Sequence, residues 1–222
     1  MTTGKLDHNL SPSTFYLSPQ FMFKGNVQDH YFKKAKKEWY KARSAFKLEE
    51  IQEKFHLFDK NTKTIMDIGC APGSRIQYAV NFMNKNKISD YKILGIDIQD
   101  VNLNLPGVTT YKADIQDVEH IKKILTENNI QQVDIIQSDM APNTMGVKDV
   151  DAMRLFELLE YVKPIIKNLL KPDGKFVIKL FMGPWFEEFI KEMKDIFGGK
   201  HIKTLKPASC RKESKEIYIV KF

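Results

Sequence analysis

Two lysines lie inside apolar stretches of the sequence, where a charged side chain is uncommon. Lys179 interrupts the run Phe-Val-Ile-Lys-Leu-Phe, and Lys47 lies within Ala-Phe-Lys-Leu. Charged groups are seldom buried without a partner of opposite charge. Asp139 closely follows another apolar run, so neighbouring strands of one sheet would bring it to Lys179, as a catalytic pair or as a structural ion pair. Lys47 and Glu216, each taken alone, are more typical of surface charges.

A glycine-rich segment occupies residues 67–75 and reads Asp-Ile-Gly-Cys-Ala-Pro-Gly-Ser-Arg. Between a strand and a helix, such a segment binds ligands at the carboxyl edge of a parallel sheet. Gly69 and Gly73 let a ligand approach the backbone. Pro72 lies between them, so the spacing differs from the Gly-x-Gly-x-x-Gly of loops that hold a pyrophosphate. A loop around a nucleoside is therefore favoured.

Acids end the next two apolar runs. Asp97 ends Ile-Leu-Gly-Ile-Asp, and Asp114 ends Tyr-Lys-Ala-Asp. The first is placed to accept hydrogen bonds from the hydroxyls of a ribose, and the second from an adenine amino group. Each acid alone is typical of a turn, but the three loops in this order predict a nucleoside cofactor. The proline-containing loop favours S-adenosylmethionine over NAD.

Apolar, β-branched runs alternate with helical segments after residue 61, which predicts a doubly wound α/β protein. The predicted strands are 64–68, 92–96, 108–111, 133–137, 175–181, 201–205 and 216–220, and the helices between them are 76–83, 118–127, 150–170 and 185–196. The last two strands are expected to pair antiparallel because their connection is short. The result is a Rossmann-like, seven-stranded, mostly parallel sheet with helices on both faces.

Two further helices are predicted before the sheet, as an N-terminal helical extension. They span 29–43 and 44–56, with Ser44 as the N-cap of the second. Residues 1–28 are predicted to be an irregular arm, and residues 29–222 a single domain.

The helix at 29–43 mixes basic and aromatic side chains, which predicts an RNA-binding surface. Its cations could neutralise phosphates: Lys33, Lys34, Lys36, Lys37, Lys41 and Arg43. Tyr31, Phe32, Trp39 and Tyr40 lie among them and could stack on bases. The alternative is a solvated basic helix whose aromatic side chains pack on the core. Arg211 would extend the same surface.

Composition narrows the class of protein. The 222 residues are 42% hydrophobic and 28% charged, as in ordinary globular proteins, and the net charge of +7 favours a polyanionic partner. No run reaches the ~18 apolar residues of a membrane span, and no secretory signal is recognisable. We expect a cytoplasmic monomer, with a mitochondrial location left open. The two cysteines and five scattered histidines predict neither a disulfide framework nor a metal site.

Five segments resemble the FtsJ family of ribose 2′-O-methyltransferases, in the family's order. They are RSAFKLEEI at 43–51, DIGCAPGSR at 67–75, SDMAPN at 138–143, FVIKLF at 176–181 and KPASCRKESKEIYIV at 206–220. The chain most resembles the short bacterial and mitochondrial members, which modify large-subunit ribosomal RNA. The resemblance implies methyl transfer from S-adenosylmethionine to a ribose 2′-hydroxyl of that RNA, at a uridine and within the ribosomal subunit.

The resemblance also assigns residues. It implies a catalytic set of Lys47, Asp139, Lys179 and Glu216. It implies that the cofactor is held by Asp67, Gly69, Pro72, Gly73, Ser74, Arg75, Asp97, Asp114 and Asp139. Lys179 would handle the 2′-hydroxyl, and the sequence leaves open whether it removes the proton or only orients the group.

The sequence departs from the family pattern at three places. The family usually has glycine and then an aromatic residue at the position of Ser74-Arg75, a serine before Gly146, and a serine in place of Cys210. No catalytic residue is lost. Alternatives remain: methylation of the transfer RNA anticodon loop, of an mRNA cap or of another acceptor, and a non-catalytic RNA-binding module.

Overall fold

The computed structural model describes residues 30–211 and 213–222, so the predicted arm at 1–28 lies outside the described residues. Two helices come first, α1 (His30–Lys37) and α2 (Ser44–Phe55). The elements that follow are β1 (Thr64–Ile68), α3 (Ser74–Lys85), β2 (Lys92–Asp97), β3 (Val108–Lys112), α4 (Val118–Glu127), β4 (Val133–Ser138), α5 (Lys148–Leu169), β5 (Leu170–Phe181), α6 (Phe186–Phe197), β6 (Ile202–Leu205) and β7 (Glu216–Lys221). Every predicted strand and helix is present, and the largest differences in their ends are at α1 and at the start of β5.

The seven strands form one sheet in the order β3-β2-β1-β4-β5-β7-β6. The pairings from β3 to β5 are parallel, whereas β7 runs antiparallel to both β5 and β6. The order reverses beside β1, and in open parallel sheets the crevice at such a point, outside the carboxyl ends of the strands, binds ligands. The predicted Rossmann-like sheet is confirmed, including its antiparallel last pair.

Helices cover both faces of the sheet because alternate strand residues point to opposite faces. The buried Ile136 and Ile178 pack in the cluster formed with α4, α5 and α6. The buried Ile135 and Val177 pack in the cluster formed with α2 and α3. Burial on both faces explains why the strands read as continuous apolar runs. Lys179 follows Val177 by two residues and therefore lies on the α2 face.

The helix predicted at 29–43 ends at Lys37, which is earlier than expected. Trp39 takes a left-handed backbone conformation, with φ of 62°. The backbone N–H of Lys41 donates to the side-chain oxygen of Gln77 on α3 at 2.8 Å, and the Gln77 amide donates to the main-chain oxygen of Trp39 at 3.3 Å. These tertiary hydrogen bonds replace the local ones that would have extended the helix.

The prediction that Ser44 caps α2 is wrong. Arg43 precedes the helix in a helical conformation, and no side chain caps it. The Ser44 hydroxyl instead lies 2.6 Å from the hydroxyl of Ser74, at the start of α3. This hydrogen bond ties the helix that carries Lys47 to the end of the glycine-rich loop.

Gly69 and Gly146 both have positive φ, 71° and 81°, but only Gly69 is enclosed. A Cβ at Gly69 would lie 2.9 Å from the Met140 backbone, whereas a Cβ at Gly146 would meet none of the described atoms within 4 Å. We expect Gly146→Ala to lower the free energy of unfolding by about 1 kcal/mol, the strain of a left-handed alanine. Gly69→Ala should cost at least about twice as much because a backbone contact cannot relax easily. Urea unfolding would measure both, and equal losses of stability would contradict the close approach at Gly69.

Candidate active site

Lys179 and Asp139 meet at the carboxyl edge of the sheet. β4 and β5 are parallel neighbours with Ser138 paired to Ile178, so the next residue of each lies at the same level. The Lys179 Nζ lies 3.3 Å from Asp139 Oδ1 and donates a hydrogen bond to the main-chain oxygen of Asp139 at 2.5 Å. Both side chains are largely buried.

Lys47 and Glu216 form a second buried ion pair. The apolar residues Ala45, Leu48 and Ile51 anchor α2 in the core, which turns Lys47 towards the start of β7. Its ammonium donates to Glu216 Oε1.

Tyr218 joins the two ion pairs. Its hydroxyl lies 2.8 Å from Asp139 Oδ1 and 2.5 Å from Glu216 Oε1. A tyrosine hydroxyl has one hydrogen to donate, and here it lies between two carboxylates that would otherwise repel each other. A chain of polar contacts therefore runs from Lys179 through Asp139, Tyr218 and Glu216 to Lys47. The structure thus brings all four predicted catalytic residues together.

Tyr218 is not among the site residues predicted from the sequence, which contains only a weak signal for it. Side chains alternate along a strand, so the residue two positions after Glu216 lies on the same face. Tyr218 is also paired with Lys179 across β5 and β7. A tyrosine in an apolar strand is usually a packing residue, and only the pairing with Lys179, which the sequence does not show, distinguishes this one.

The surrounding charges fix the ionisation of Asp139. Burial alone would raise the pKa of Asp139, but the positive charges of Lys179, Arg75 and Lys47 and the hydrogen bond from Tyr218 outweigh it, so the pKa lies well below its usual value. Burial and the two nearby carboxylates raise the pKa of Tyr218 well above its usual value. At neutral pH the site therefore holds an ionised Asp139 and a protonated Tyr218.

A cavity of about 460 Å³ opens beside this network. It is bounded by the residues that end β1 to β4 and by one side of α5. Its apolar lining includes Ile68, Ile96, Ile98, Ala113, Ile115, Met140 and Leu158, and its carboxylates are Asp97, Asp114, Asp139 and Glu157. A cavity of this size that combines apolar walls with several fixed polar groups is typical of a small-molecule site.

The acids at the cavity suit a nucleoside. Asp97 accepts hydrogen bonds from the backbone N–H groups of Ala71 and Gln99, each at 2.8 Å, which fixes its carboxylate. Asp114 is exposed at the cavity and accepts one from Gln116 N–H at 3.0 Å. The fixed acids can receive hydroxyl and amino donors, while the apolar walls can enclose a flat heterocycle.

The cavity lining contains only part of the predicted cofactor set. Of that set it includes Gly69, Asp97, Asp114 and Asp139, and it leaves out Asp67, Pro72, Gly73, Ser74 and Arg75. Asp67 and Arg75 form an ion pair with each other. Gly73 packs against Leu103, which a Cβ would approach to 2.6 Å. The lining also includes Met140, Asn143, Arg154 and Glu157, which were not predicted as site residues. Arg154 and Glu157 lie on α5 outside every motif, so the sequence contains no signal for them.

The predicted RNA-binding residues fall into two groups. Lys33, Lys36, Lys37, Lys41 and Arg211 are exposed, although Lys41 also donates to the main-chain oxygen of Asn102 at 2.9 Å. Lys34 and Arg43 are half-buried, and Lys34 pairs with Glu49 at 3.3 Å.

The aromatic residues of the same region are divided in a similar way. The rings of Tyr31 and Tyr40 pack on Phe46, with centroid distances of 5.9 and 5.7 Å. Trp39 is 88% exposed. Core packing therefore accounts for the two tyrosines, and Trp39 remains available to a partner.

Other classes of site are not seen in the described part of the chain. Within residues 30–211 and 213–222, no group of three His, Cys, Asp or Glu side chains is placed to hold a metal ion. Over the same residues, no helix combines the length and apolar character needed to cross a membrane. Cys70 and Cys210 are buried free thiols.

A sheet of this order, with a nucleoside-sized cavity outside the carboxyl ends of β1 to β4, defines an α/β methyltransferase fold. The model of the FtsJ-like methyltransferase family matches residues 40–222, and the chain belongs to that family. The matched region contains all four predicted catalytic residues.

Similar proteins are found in distant organisms. The chain is 40% identical over 196 residues to ribosomal RNA large subunit methyltransferase E of Bdellovibrio bacteriovorus, covering 88% of this chain and 96% of the relative. It is 41% identical over 196 residues to the protein of that name from Acinetobacter baylyi, covering 88% and 87%. A crystal structure from Plasmodium falciparum, of a protein described as a ribosomal RNA methyltransferase, superposes with a TM-score of 0.70 at 27% identity, over 82% of this chain and 97% of that one.

The position of Tyr218 predicts a specific defect when its hydroxyl is removed. Tyr218→Phe should lower the maximal rate of methyl transfer about 10- to 100-fold, since hydrogen bonds to charged groups are worth about 1.5–3 kcal/mol. As the pH is lowered, the rate of the variant should also begin to fall at a higher pH than the rate of the wild type, because Asp139 has lost a hydrogen bond that lowers its pKa. Single-turnover rates across pH would measure both effects.

A matched control is Tyr78→Phe, which alters a buried tyrosine in the same core cluster. A normal rate and pH profile for Tyr218→Phe, or an equal reduction in both variants, would contradict a role at the site.

Proposed function

We propose that this chain transfers the methyl group of S-adenosylmethionine to a ribose 2′-hydroxyl of large-subunit ribosomal RNA, at a uridine within the ribosomal subunit. The observation that carries the proposal is the buried Lys179–Asp139 pair, held by Tyr218 beside the nucleoside cavity. The names of the similar bacterial proteins support a ribosomal acceptor. We expect a cytoplasmic monomer.

The cavity fits the adenosine part of the cofactor. Asp97 would accept hydrogen bonds from the ribose hydroxyls and Asp114 from the adenine amino group, with Ile98 and Ile115 in the wall near the base. The cofactor supplies a methyl group activated by a sulfonium charge. Asp139, which is ionised and lines the cavity, would favour that positive charge at the end nearest Lys179.

Lys179 would position the acceptor hydroxyl. An ammonium has three N–H donors. One donates to the main-chain oxygen of Asp139, and the ammonium also forms an ion pair with the Asp139 carboxylate at 3.3 Å. A remaining donor can be directed at the 2′-oxygen, where it would orient the hydroxyl and stabilise the negative charge that develops on it. The bond from sulfur to the methyl group would break as the bond to the 2′-oxygen forms, which leaves S-adenosylhomocysteine with the electron pair, and the hydroxyl proton would pass to water. To take that proton itself, Lys179 would first have to lose one of its own.

RNA would approach over α1. Lys33, Lys36 and Lys37 are exposed and could neutralise phosphates, and Trp39 is exposed for stacking on a base. The loop that contains Arg211 is held against α2 by hydrogen bonds from the N–H groups of Ala208 and Ser209 to Glu50. The proposed RNA-binding residues therefore lie near the helix that carries Lys47.

The proposal is tested with methyl-labelled S-adenosylmethionine and three acceptors from cells that lack the enzyme. These are large ribosomal subunits, free ribosomal RNA and bulk transfer RNA, each digested to nucleosides after the reaction. We expect label in a 2′-O-methyluridine of the large subunit. Label in transfer RNA would overturn the choice of substrate, and cofactor binding without label in any RNA would overturn RNA methylation.

Lys179→Ala should reduce methyl transfer by about 10²- to 10⁴-fold, the range for loss of a group that handles the reacting proton. Binding of S-adenosylhomocysteine should be retained because Lys179 does not line the cavity. The matched control is Lys175→Ala on the same strand, whose ammonium pairs with Asp59 at 3.2 Å. Near-normal transfer by Lys179→Ala would remove this lysine from the mechanism.

Replacing Lys33, Lys36 and Lys37 together by alanine should weaken RNA binding. The dependence of log affinity on log salt should also become shallower, by about one unit for each phosphate that the variant no longer neutralises. A control with the same change in charge replaces the exposed Lys87, Lys122 and Lys123. Filter binding at several salt concentrations measures both variants, and equal weakening would mean that net charge, rather than α1, attracts the RNA.

A further inference from the structure

Arg75 is a buried charged residue that belongs neither to the cavity lining nor to the chain of polar contacts from Lys179 to Lys47. It occupies the position where the FtsJ family usually has an aromatic residue. Its side chain is 6% exposed, and the cavity lining does not include it. A guanidinium is always charged, so its burial requires compensating partners.

Those partners lie at the end of β1 and in the glycine-rich loop. Arg75 Nη2 donates to the carboxylate of Asp67, to the main-chain oxygen of Gly69 at 3.0 Å and to that of Ile68 at 3.4 Å. Asp67 is fully buried, whereas Gly69 lines the cavity. The guanidinium therefore holds, from inside the protein, the same backbone that a ligand would approach from the cavity.

Arg75 also lies close to Asp139. The main-chain oxygen of Ile68 accepts hydrogen bonds from Arg75 Nη2 at 3.4 Å and from the backbone N–H of Asp139 at 3.3 Å. Burial raises the pKa of Asp139, and among the charges that lower it Arg75 is second only to Lys179. The groups around Asp139 are Lys179 of β5, Tyr218 and Glu216 of β7, Lys47 of α2, Asp67 of β1, Arg75 of α3 and the Cys210 thiol. Arg75 is thus one of three cations that keep this carboxylate ionised.

We propose that Arg75 is a positioning residue of the methyl-transfer site, which braces the cofactor loop through Asp67 and Gly69 and supplies a buried positive charge behind Asp139. The catalytic half of this inference rests on the proposed function, whereas the loop-bracing half concerns cofactor binding alone. Arginine suits both tasks because its guanidinium stays charged when buried and its rigid plane directs Nη2 towards all three acceptors. Lysine would keep the charge without the rigid plane, and an aromatic side chain would supply neither.

Two variants of the full chain separate these roles. Arg75→Lys keeps the charge. The double variant Asp67→Asn with Arg75→Met replaces the ion pair by neutral groups of similar size, which avoids a buried carboxylate without its partner. The control is Lys175→Met, which removes an ion pair with Asp59 and a hydrogen bond to the main-chain oxygen of His56. Each is measured for thermal unfolding, for binding of S-adenosylhomocysteine by calorimetry, and for transfer rate against pH.

We expect both Arg75 variants to bind S-adenosylhomocysteine about tenfold more weakly, as for loss of a charged hydrogen bond. In the double variant, loss of the Arg75 charge raises the pKa of Asp139, and loss of the Asp67 carboxylate opposes this. Arg75 has the larger influence on Asp139, so the transfer rate of the double variant should begin to fall at a higher pH than that of the wild type. For Arg75→Lys, the decrease in transfer rate at low pH should occur at the same pH as in the wild type. Lys175→Met should change neither affinity nor pH profile.

The proposal is overturned if the double variant binds S-adenosylhomocysteine with wild-type affinity and its transfer rate falls at the same low pH as that of the wild type. A lower unfolding temperature alone would not support the proposal, because a purely structural role would lower only stability. Failure of the proposed function would look different. In that case the wild-type chain would transfer no methyl group to RNA, while calorimetry with S-adenosylhomocysteine would still decide whether Arg75 braces the loop.

Discussion

A carboxylate buried at the end of a strand has to be surrounded by positive charge and hydrogen-bond donors, and at Asp139 these come from four elements. Lys179 comes from β5, Tyr218 from β7, Lys47 from α2 and Arg75 from α3. Removing a charge from water costs several kcal/mol unless such partners are in place. The ionised Asp139 therefore requires each of these four elements to be in its place at this edge of the sheet.

The two faces of the sheet contribute differently to the protein. The face under α4, α5 and α6 is packed with aliphatic and aromatic side chains. The face under α2 and α3 has a comparable apolar cluster, but it also carries polar groups where strand residues approach the ligand edge. Asp67 and Gln137, paired across β1 and β4, are both fully buried there, and Lys179 and Tyr218 continue the polar region across β5 and β7. The site is therefore built on one face and supported by the packing of the other.

Much of the fold could be predicted because strands buried on both faces leave continuous apolar runs in the sequence. The same property made Lys179 recognisable as a candidate site residue, since a charge inside such a run needs a partner. What could not be predicted depends on contacts between distant segments. The end of α1 is set by Gln77 on α3, the hydroxyl of Ser44 bonds to Ser74 rather than to its own helix, and Arg75 turns inward because Asp67 lies beneath it. Each is a tertiary interaction that overrides a local preference.

The ion pair between Lys47 and Glu216 joins residues that are 169 positions apart in the chain. Closing so long a loop carries an entropic cost that grows with the logarithm of its length, and contacts of this kind tend to form after local ones. Tyr218 reaches Asp139 across 79 positions, so the catalytic chain is made almost entirely of such distant contacts. The site is complete only when β5 and β7 have joined β1 to β4 and α2 has packed against them. Recovery of activity after unfolding would therefore report on completion of the whole sheet.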